Sequence, residues 1–504
     1  MKAEAEPAPS ALSKRKAVIP WTVMEYEAVI GLEVHCQLAT VSKMFCGATT
    51  VFGREPNSQV DTVTLGLPGA LPVINARAVD LAVMAGLAIG GDIRLYSKFD
   101  RKHYFYPDLP KGYQITQFDE PYCLGGSIHI VLEDGTEKTI NLTRIHMEED
   151  AGKLIHQDAG PWSEVDLNRA GVPLIEIVSD PDMRSAQEAY AYLAELKRIL
   201  KWVGVSDCEM QEGSLRCDAN VSIRPKGDPK FGVRCEIKNL NSFRSVEAAI
   251  EHEIAQQVAL HRAGRYSEIY QCTKLWDPDQ KTTRVMRTKE NAADYRYFPD
   301  PDLPPLLLTA EKVQQIRAAM PELPRARENR FRETFSLERA AASELTAEAS
   351  IADYFEALVQ RGCPSKLAAN WTREEAMRLS NEQHKPLTDA APLATMAALI
   401  NLVAEGKVAR VVAKAECTDL FASGQTPVDY FTAKGQIQVQ DTAALAQFVT
   451  QAIAQEVKVV EDIKGGKLSA VGRLVGVTMK LSGGKLNPND VKAELGKQLG
   501  VSLV

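Results

Sequence analysis

The 504-residue chain lacks a Cys-x-x-Cys pair, although it contains nine cysteines, odd in number and scattered from Cys36 to Cys417. Neither a structural zinc cage nor a redox motif can be read from them, and buried thiols in a reducing compartment are expected. No stretch nears the roughly 20 apolar residues that span a bilayer. The longest, such as 172–178, is broken by Pro173 and Glu176, so no membrane association is expected. The glycine patterns G-x-x-x-x-G-K-[ST] and G-x-G-x-x-G are missing, so a nucleotide would have to be held by some other geometry. An H-E-x-x-H helix is missing too, which weighs against a metal-dependent hydrolase built on Glu33 and His35. Residues 1–24 have no apolar centre, so a secretory signal is excluded and the cytoplasm is the expected location. Positive charge is in deficit, 59 Lys+Arg against 66 Asp+Glu for a net −7. That argues against coating nucleic acid by charge alone. The average hides a basic end. From Lys464 to Val504, Lys464, Lys467, Arg473, Lys480, Lys485, Lys492 and Lys497 face only Asp490 and Glu494, a net +5 that leaves −12 for the rest.

What is present is an ordinary soluble composition, 45% apolar and 25% charged, with ample length for several cores. Residues 1–24 read as a polar leader. Residues 25–318 mix strand-like and helix-like patterns with Gly/Pro turns. Prolines at 299, 301, 304, 305, 321 and 324 mark a boundary. Beyond it, helical patterns divide into a linker and bundle over 319–425 and a small basic tail domain over 426–504. The expected fold class is α+β or α/β, a large mixed sheet-and-helix domain followed by an all-α region. One helix can be placed closely, over 182–204. Ser185 and Glu188 form a capping box, Ala189, Leu193, Leu196, Leu200 and Val203 make an apolar stripe, and Gly204 ends it. A last short helix opens at Asn487-Pro488-Asn489-Asp490.

Several polar residues stand out against this background. In 26–38, Ala28, Ile30, Leu32, Val34, Cys36 and Leu38 alternate with Glu33, His35 and Gln37. On a strand rising about 3.3 Å per residue, Glu33 and His35 stand side by side roughly 7 Å apart, close enough to share a cation. A solvated polar face is the alternative. Glu176 lies in Val-Pro-Leu-Ile-Glu-Ile-Val, which resembles a strand buried on both faces. A buried carboxylate needs a cation, a proton or an ion pair, for which Arg169 is a local candidate. Glu148-Glu149-Asp150 closes a strand-like run and would ordinarily be solvated, though such acids can also ligate a metal. In 214–224, Ser214, Arg216, Asp218, Asn220, Ser222 and Arg224 occupy the even positions and apolar residues the odd ones. After the turn-rich 225–232, Arg234, Glu236 and Lys238 continue the polar face. This predicts a hairpin apolar on one side and charged on the other, solvated or suited to a nucleotide and its cation. The aromatic stretches 99–108 and 294–300 could stack on a base or staple a core.

Taken in order, these segments resemble the B-subunit family of the tRNA-dependent amidotransferases. The matching motifs are Ile-Gly-Leu-Glu-Val-His at 30–35, Phe-Asp-Arg-Lys at 99–102 and Tyr-Phe-Tyr-Pro-Asp at 104–108. They continue with His-Met-Glu-Glu-Asp-Ala-Gly-Lys at 146–153, Asn168-Arg169, Pro-Leu-Ile-Glu-Ile at 173–177 and Glu-Gly-Ser-Leu-Arg-Cys-Asp-Ala-Asn at 212–220. Glu-Ile-Lys-Asn-Leu-Asn-Ser-Phe at 236–243 and Asp-Tyr-Arg-Tyr-Phe at 294–298 complete the series. The helical remainder resembles the family's tRNA-binding C-terminus.

The resemblance implies a catalytic domain similar in fold to glutamine synthetase and guanido kinases. Its reaction would be ATP-dependent conversion of Glu-tRNA(Gln) or Asp-tRNA(Asn) to the amidated aminoacyl-tRNA, through phosphorylation of the tRNA-linked carboxylate. By the same resemblance Glu33, His35, Glu149 and Glu176 hold Mg²⁺. Lys102, Arg216 and Lys238 contact phosphate, with Ser214, Asp218 and Asn220 beside them in the ATP pocket. The choice of Glu149 over Glu148 rests on the family match alone. No Gly/Ser-rich amidase signature is present, so ammonia is expected from a partner amidase subunit (A), with a small subunit (C) completing a heterotrimer and a channel between active sites. Polar residues of the 214–224 strand are candidates for lining its end. Many relatives carry four cysteines where this chain has Cys46, Ala48, Asp61 and Thr64, so zinc is not expected, and His103 replaces the usual Asn. Lys464, Lys467, Arg473, Lys480 and Lys485 are the candidate tRNA contacts. The alternative is a non-catalytic tRNA-binding scaffold.

Overall fold

A computed structural model describes residues 25–156, 162–288, 295–437, 442–483, 486 and 488–501. The chain divides into two compact units, 1–320 and 321–504. The leader 1–24 and Lys485 lie outside the described residues.

Among its described residues the first unit is built on a 13-stranded mixed sheet. Its main strands are β1 (Tyr26–Gln37), β2 (Asp100–His103), β3 (Tyr113–Thr116), β4 (Glu137–Glu149), β5 (Pro173–Ser179), β6 (Leu215–Pro225), β7 (Cys235–Leu240), β8 (Cys272–Asp277), β9 (Thr282–Thr288) and β10 (Phe298–Pro299). Across the sheet they run β9-β8-β7-β6-β1-β5-β4-β3-β2-β10. Neighbours along this path are antiparallel except β7 and β8. The long helices of the unit are α1 (Ala76–Ala88), α2 (Ala186–Trp202) and α3 (Phe243–Arg262), and α3 supplies the crossover that a parallel pair needs. The expected hairpin of 214–238 is the β6–β7 pair, with a bulge between Cys217 and Ala219.

The alternation read in the sequence decides which way each face points. Ala28, Ile30, Leu32, Val34 and Cys36 of β1, with Leu215, Cys217, Ala219, Val221 and Ile223 of β6, are buried together. Helix α2 (Ala186–Trp202) packs on α3, and α3 packs on β6. In α2 the stripe Ala189, Leu193, Leu196 and Leu200 is wholly buried. Ser185 accepts from the Glu188 N–H at 3.1 Å, the first half of the expected capping box. The other half is displaced by one residue, since the Glu188 carboxylate accepts from the Arg184 N–H at 2.7 Å and pairs with Lys138 at 2.7 Å. Gly204 turns the chain at φ +70°, a left-handed conformation that a side chain would strain.

The second unit is helical among its described residues, from Pro324–Phe335 to Pro488–Leu499. Its final segment has its own apolar cluster, in which Val449, Ile463, Leu474, Val491 and Leu495 are buried with Val459, Val471, Leu486 and Leu499.

Candidate active site

The polar face of the sheet brings distant parts of the chain into rows. Directly opposed residues run His146 on β4, Glu176 on β5, His35 on β1 and Arg216 on β6. One step along, Glu33 opposes Asp218, and Asn220 opposes both Gly31 and Glu236. Adjacent strands lie about 4.8 Å apart, so side chains of one row on one face must touch.

Among the described residues two groups capable of holding a cation result. His35, Glu148 and Glu176 place a ring nitrogen and two carboxylate oxygens within 4.8 Å of one another. His35 Nε2 is 3.5 Å from Glu176 and 3.8 Å from Glu148. Glu33, Asp218 and Glu236 form the second group, with their oxygens within the same distance. Of the four residues expected to share one site, His35 and Glu176 fall in the first group and Glu33 in the second, beside Glu176, whereas Glu149 is in neither. Alternation along β4 is the reason. Glu148 shares the face of His146, whereas Glu149 points the other way, where it pairs with Lys111 and accepts from the Ile115 N–H at 3.0 Å. The three acids 148–150 are all buried, at 3 to 4% exposure, so the solvated reading fails for this cluster.

The partners of Glu176 are histidines and not Arg169. His146 Nε2 lies 3.2 Å from Glu176 and 3.8 Å from Glu148, while Arg169 bonds the carbonyls of Ala151 and Gly152 and lies 3.7 Å from Asp150. Burial alone would lower both imidazoles. The charges and hydrogen bonds of Glu176 and Glu148 outweigh it, raising His35 and bringing His146 up to about 9. Burial likewise opposes ionisation of the two carboxylates, and the histidines pull them below the usual range, Glu176 furthest. Glu33 goes the other way. Burial, then the charges of Glu176, Glu236 and Asp218, push it up, against a hydrogen bond from Asn220 at 3.0 Å. A buried carboxyl so crowded by like charge fits a divalent cation bound by hard oxygen ligands, as does the imidazole–dicarboxylate set beside it.

The remaining expected residues differ in freedom. Lys102 keeps its ammonium 5.0 Å above the Tyr295 ring and 6.0 Å from that of Tyr104. Burial would depress it, but Glu148 and other nearby groups raise it, so it is charged beside the first group. Arg216 donates to Asp150 at 2.7 Å. Lys238 pairs with Asp218 and lies 3.2 Å from Glu236, and burial opposed by these two acids leaves it raised. Ser214 does not reach the groups. Its hydroxyl accepts from the Glu209 N–H at 2.8 Å and pairs with Asp207, bracing the entry to β6. His103 stacks on Phe298 at 4.8 Å. Phe118 stacks on Tyr297 at 4.0 Å, and Phe105 is 92% exposed, so the aromatic stretches do not all serve as core staples. In the second unit Lys464, Lys467, Arg473 and Lys480 are exposed, with Arg473 3.1 Å from Glu456.

Three members of the site were not among the residues assigned a role by the family resemblance: Glu148, His146 and Glu236. One signal for the first two was available, since His146-x-Glu148 repeats on a strand the spacing of Glu33-x-His35.

This face belongs to a known class of domain. Residues 28–314 match the family described as the GatB/GatE catalytic domain, and residues 353–499 match the GatB domain. Similar proteins include the B subunit of an aspartyl/glutamyl-tRNA(Asn/Gln) amidotransferase from Moorella thermoacetica, 48% identical and covering 94% of this chain and 100% of its own. One of the same description from Geobacter sulfurreducens shows the same figures, and one from Thermosynechococcus vestitus is 47% identical over 94% of this chain and 97% of its own. The chain belongs to the family of aspartyl/glutamyl-tRNA(Asn/Gln) amidotransferase B subunits.

Proposed function

We propose that the first unit amidates the amino acid of misacylated Glu-tRNA(Gln) or Asp-tRNA(Asn) at the expense of ATP. The observation that carries this reading is the convergence of two carboxylate-rich groups and Lys102 on one sheet face of a chain 48% identical to B-subunit relatives. A free carboxylate is a poor acyl donor, because oxide cannot leave. Transfer of the γ-phosphoryl group to the side-chain oxygen releases ADP and creates a leaving group. Ammonia then attacks the acyl carbon, phosphate departs and the amide forms. Mg²⁺, when bound, would offset charge between the ATP phosphates and the incoming carboxylate.

The chain's own residues divide this work. His35, Glu148 and Glu176 hold one cation, and Glu33, Asp218 and Glu236 a second. Lys102 presents its ammonium to the transferring phosphate. Arg216 and Lys238 keep their remaining N–H donors aimed at the same face while Asp150, Asp218 and Glu236 brace them. Asn220 orients Glu33. An open cation-holding face backed by helices supports the expected likeness to glutamine synthetase and guanido kinases. Ammonia comes from an amidase subunit (A) through an intersubunit channel, in a heterotrimer with a small subunit (C), and the cytoplasm is the proposed compartment. Lys464, Lys467, Arg473 and Lys480 grip the tRNA backbone. Because the segment carrying these residues also builds the apolar cluster of residues 449–499, charge reversal tests this role better than truncation. A basic side chain that neutralises one phosphate contributes about 1 to the salt slope of tRNA binding, so each single reversal should lower the slope by about that amount.

The decisive test reconstitutes the chain with its partner subunits, misacylated tRNA, ATP, Mg²⁺ and either glutamine or ammonia. Amidation should occur with either nitrogen source and should be lost in Glu176→Gln. Full amidation by that variant would remove the cation role, and no amidation by the wild type with any misacylated tRNA would remove the reaction.

A further inference from the structure

At the far side of the sheet, β7 and β8 run parallel with Cys235 directly opposite Cys272. Their sulfurs are 3.7 Å apart. A disulfide requires about 2.05 Å between sulfurs and Cα atoms roughly 4.4–6.8 Å apart, a separation that neighbouring strands meet. Both residues line a cavity of about 270 Å³ beneath α3, with Glu253, Gln257 and Lys274 in its wall. The cavity is large enough to admit an oxidant of a few atoms, and both cysteines are only 2% exposed.

We propose that Cys235 and Cys272 are a modification site, a dithiol that small hydroperoxides close to a disulfide across the β7–β8 pair. One sulfur attacks the peroxide, the O–O bond breaks, and a sulfenic acid and water form. The second thiol displaces the sulfenic oxygen as water, so two S–H bonds are exchanged for one S–S bond and H₂O₂ is reduced to two H₂O.

The site sits back to back with the acidic face. The residues next along each strand, Glu236 and Thr273, are also directly opposed, and the Thr273 hydroxyl donates to Glu236 at 2.8 Å. Drawing the sulfurs together pulls on the strand pair that positions Glu236 in the second carboxylate group. This goes beyond the proposed reaction and its chemistry does not depend on it.

The test treats the reduced full-length protein with hydrogen peroxide, blocks thiols with an alkylating agent and maps the peptides by mass spectrometry. The expected product is a peptide pair joined through Cys235 and Cys272, with titratable thiols falling from nine to seven and returning to nine with dithiothreitol. In Cys235→Ser and Cys272→Ser that cross-link should be absent. Nine thiols remaining, or loss of thiols through sulfinic acids or another disulfide without this cross-link, would overturn the proposal. The wild-type map decides it even where a serine variant folds poorly.

Discussion

Adjacent glutamates on β4 should respond to the same substitution in opposite ways. Glu148→Gln removes a carboxylate from the group it forms with His35 and Glu176, whereas Glu149→Gln removes the partner of Lys111 on the other face. Changes in the outer sphere of metal sites typically cost 10–100-fold in affinity, so loss of a direct ligand should cost at least about 100-fold, or ~2.7 kcal/mol. Stability should suffer less than in Glu149→Gln, because His35 and His146 lose Glu148 but keep Glu176 as a partner. For Glu149→Gln the balance reverses. The Lys111 and Glu149 side chains are only 10% and 5% exposed, so water screens the pair little. Breaking such a pair from one side costs about 3–5 kcal/mol, and cation affinity should remain within about threefold. Mn²⁺ binding followed by electron paramagnetic resonance, alongside urea unfolding, separates the two effects. Equal loss of Mn²⁺ affinity in both variants would refute the assignment by strand face, as would an unfolding midpoint unchanged by Glu149→Gln.

Three further outcomes follow from burial. Lys43 is fully buried, donates to the Leu167 carbonyl at 3.3 Å, and is lowered by burial to about 8 from an ordinary 10.5. The unfolded chain therefore binds more protons between about pH 8 and 10.5, and stability rises with pH across that window by up to about 3 kcal/mol. Lys43→Met should raise the urea midpoint at pH 7, and its advantage should shrink by pH 9.5; a constant difference would disprove this. His146→Ala should weaken Mn²⁺ binding by about 10–100-fold because Glu176 and Glu148 lose a shared anchor, and wild-type affinity in that variant would rule the anchor out. Glu253→Ala leaves the Lys274 ammonium, paired at 2.8 Å and 14% exposed, without its carboxylate and should cost about 3–5 kcal/mol in urea unfolding. A loss below about 1 kcal/mol would show that Lys274 finds water instead.

Much of the site was legible because strands impose a period of two. Glu33 and His35 on β1, and Arg216, Asp218 and Asn220 on β6, were assigned to polar faces correctly from alternation alone. The buried Glu176 announced its need for positive charge through its apolar neighbours. The nature of that partner was not legible: His146 is 30 residues away in the chain and becomes its neighbour only through the β4–β5 register. The same register decides between Glu148 and Glu149. Two adjacent acids at a strand end look alike until the strand is known to continue through both.

The sequence by itself determined the periodicities, and with them the helix placed over 182–204 and found at 186–202, the apolar faces of β1 and β6 and the family to which the chain belongs. Those properties depend on neighbours within a few residues, or on motifs in order along the chain. Only the tertiary structure decided that the acids form two groups, that histidines compensate Glu176, that Ser214 turns away, and that Cys235 meets Cys272. Each of these is a contact between strands separated by loops, and strand order and register fix such contacts through hydrogen bonding and packing that no local pattern encodes.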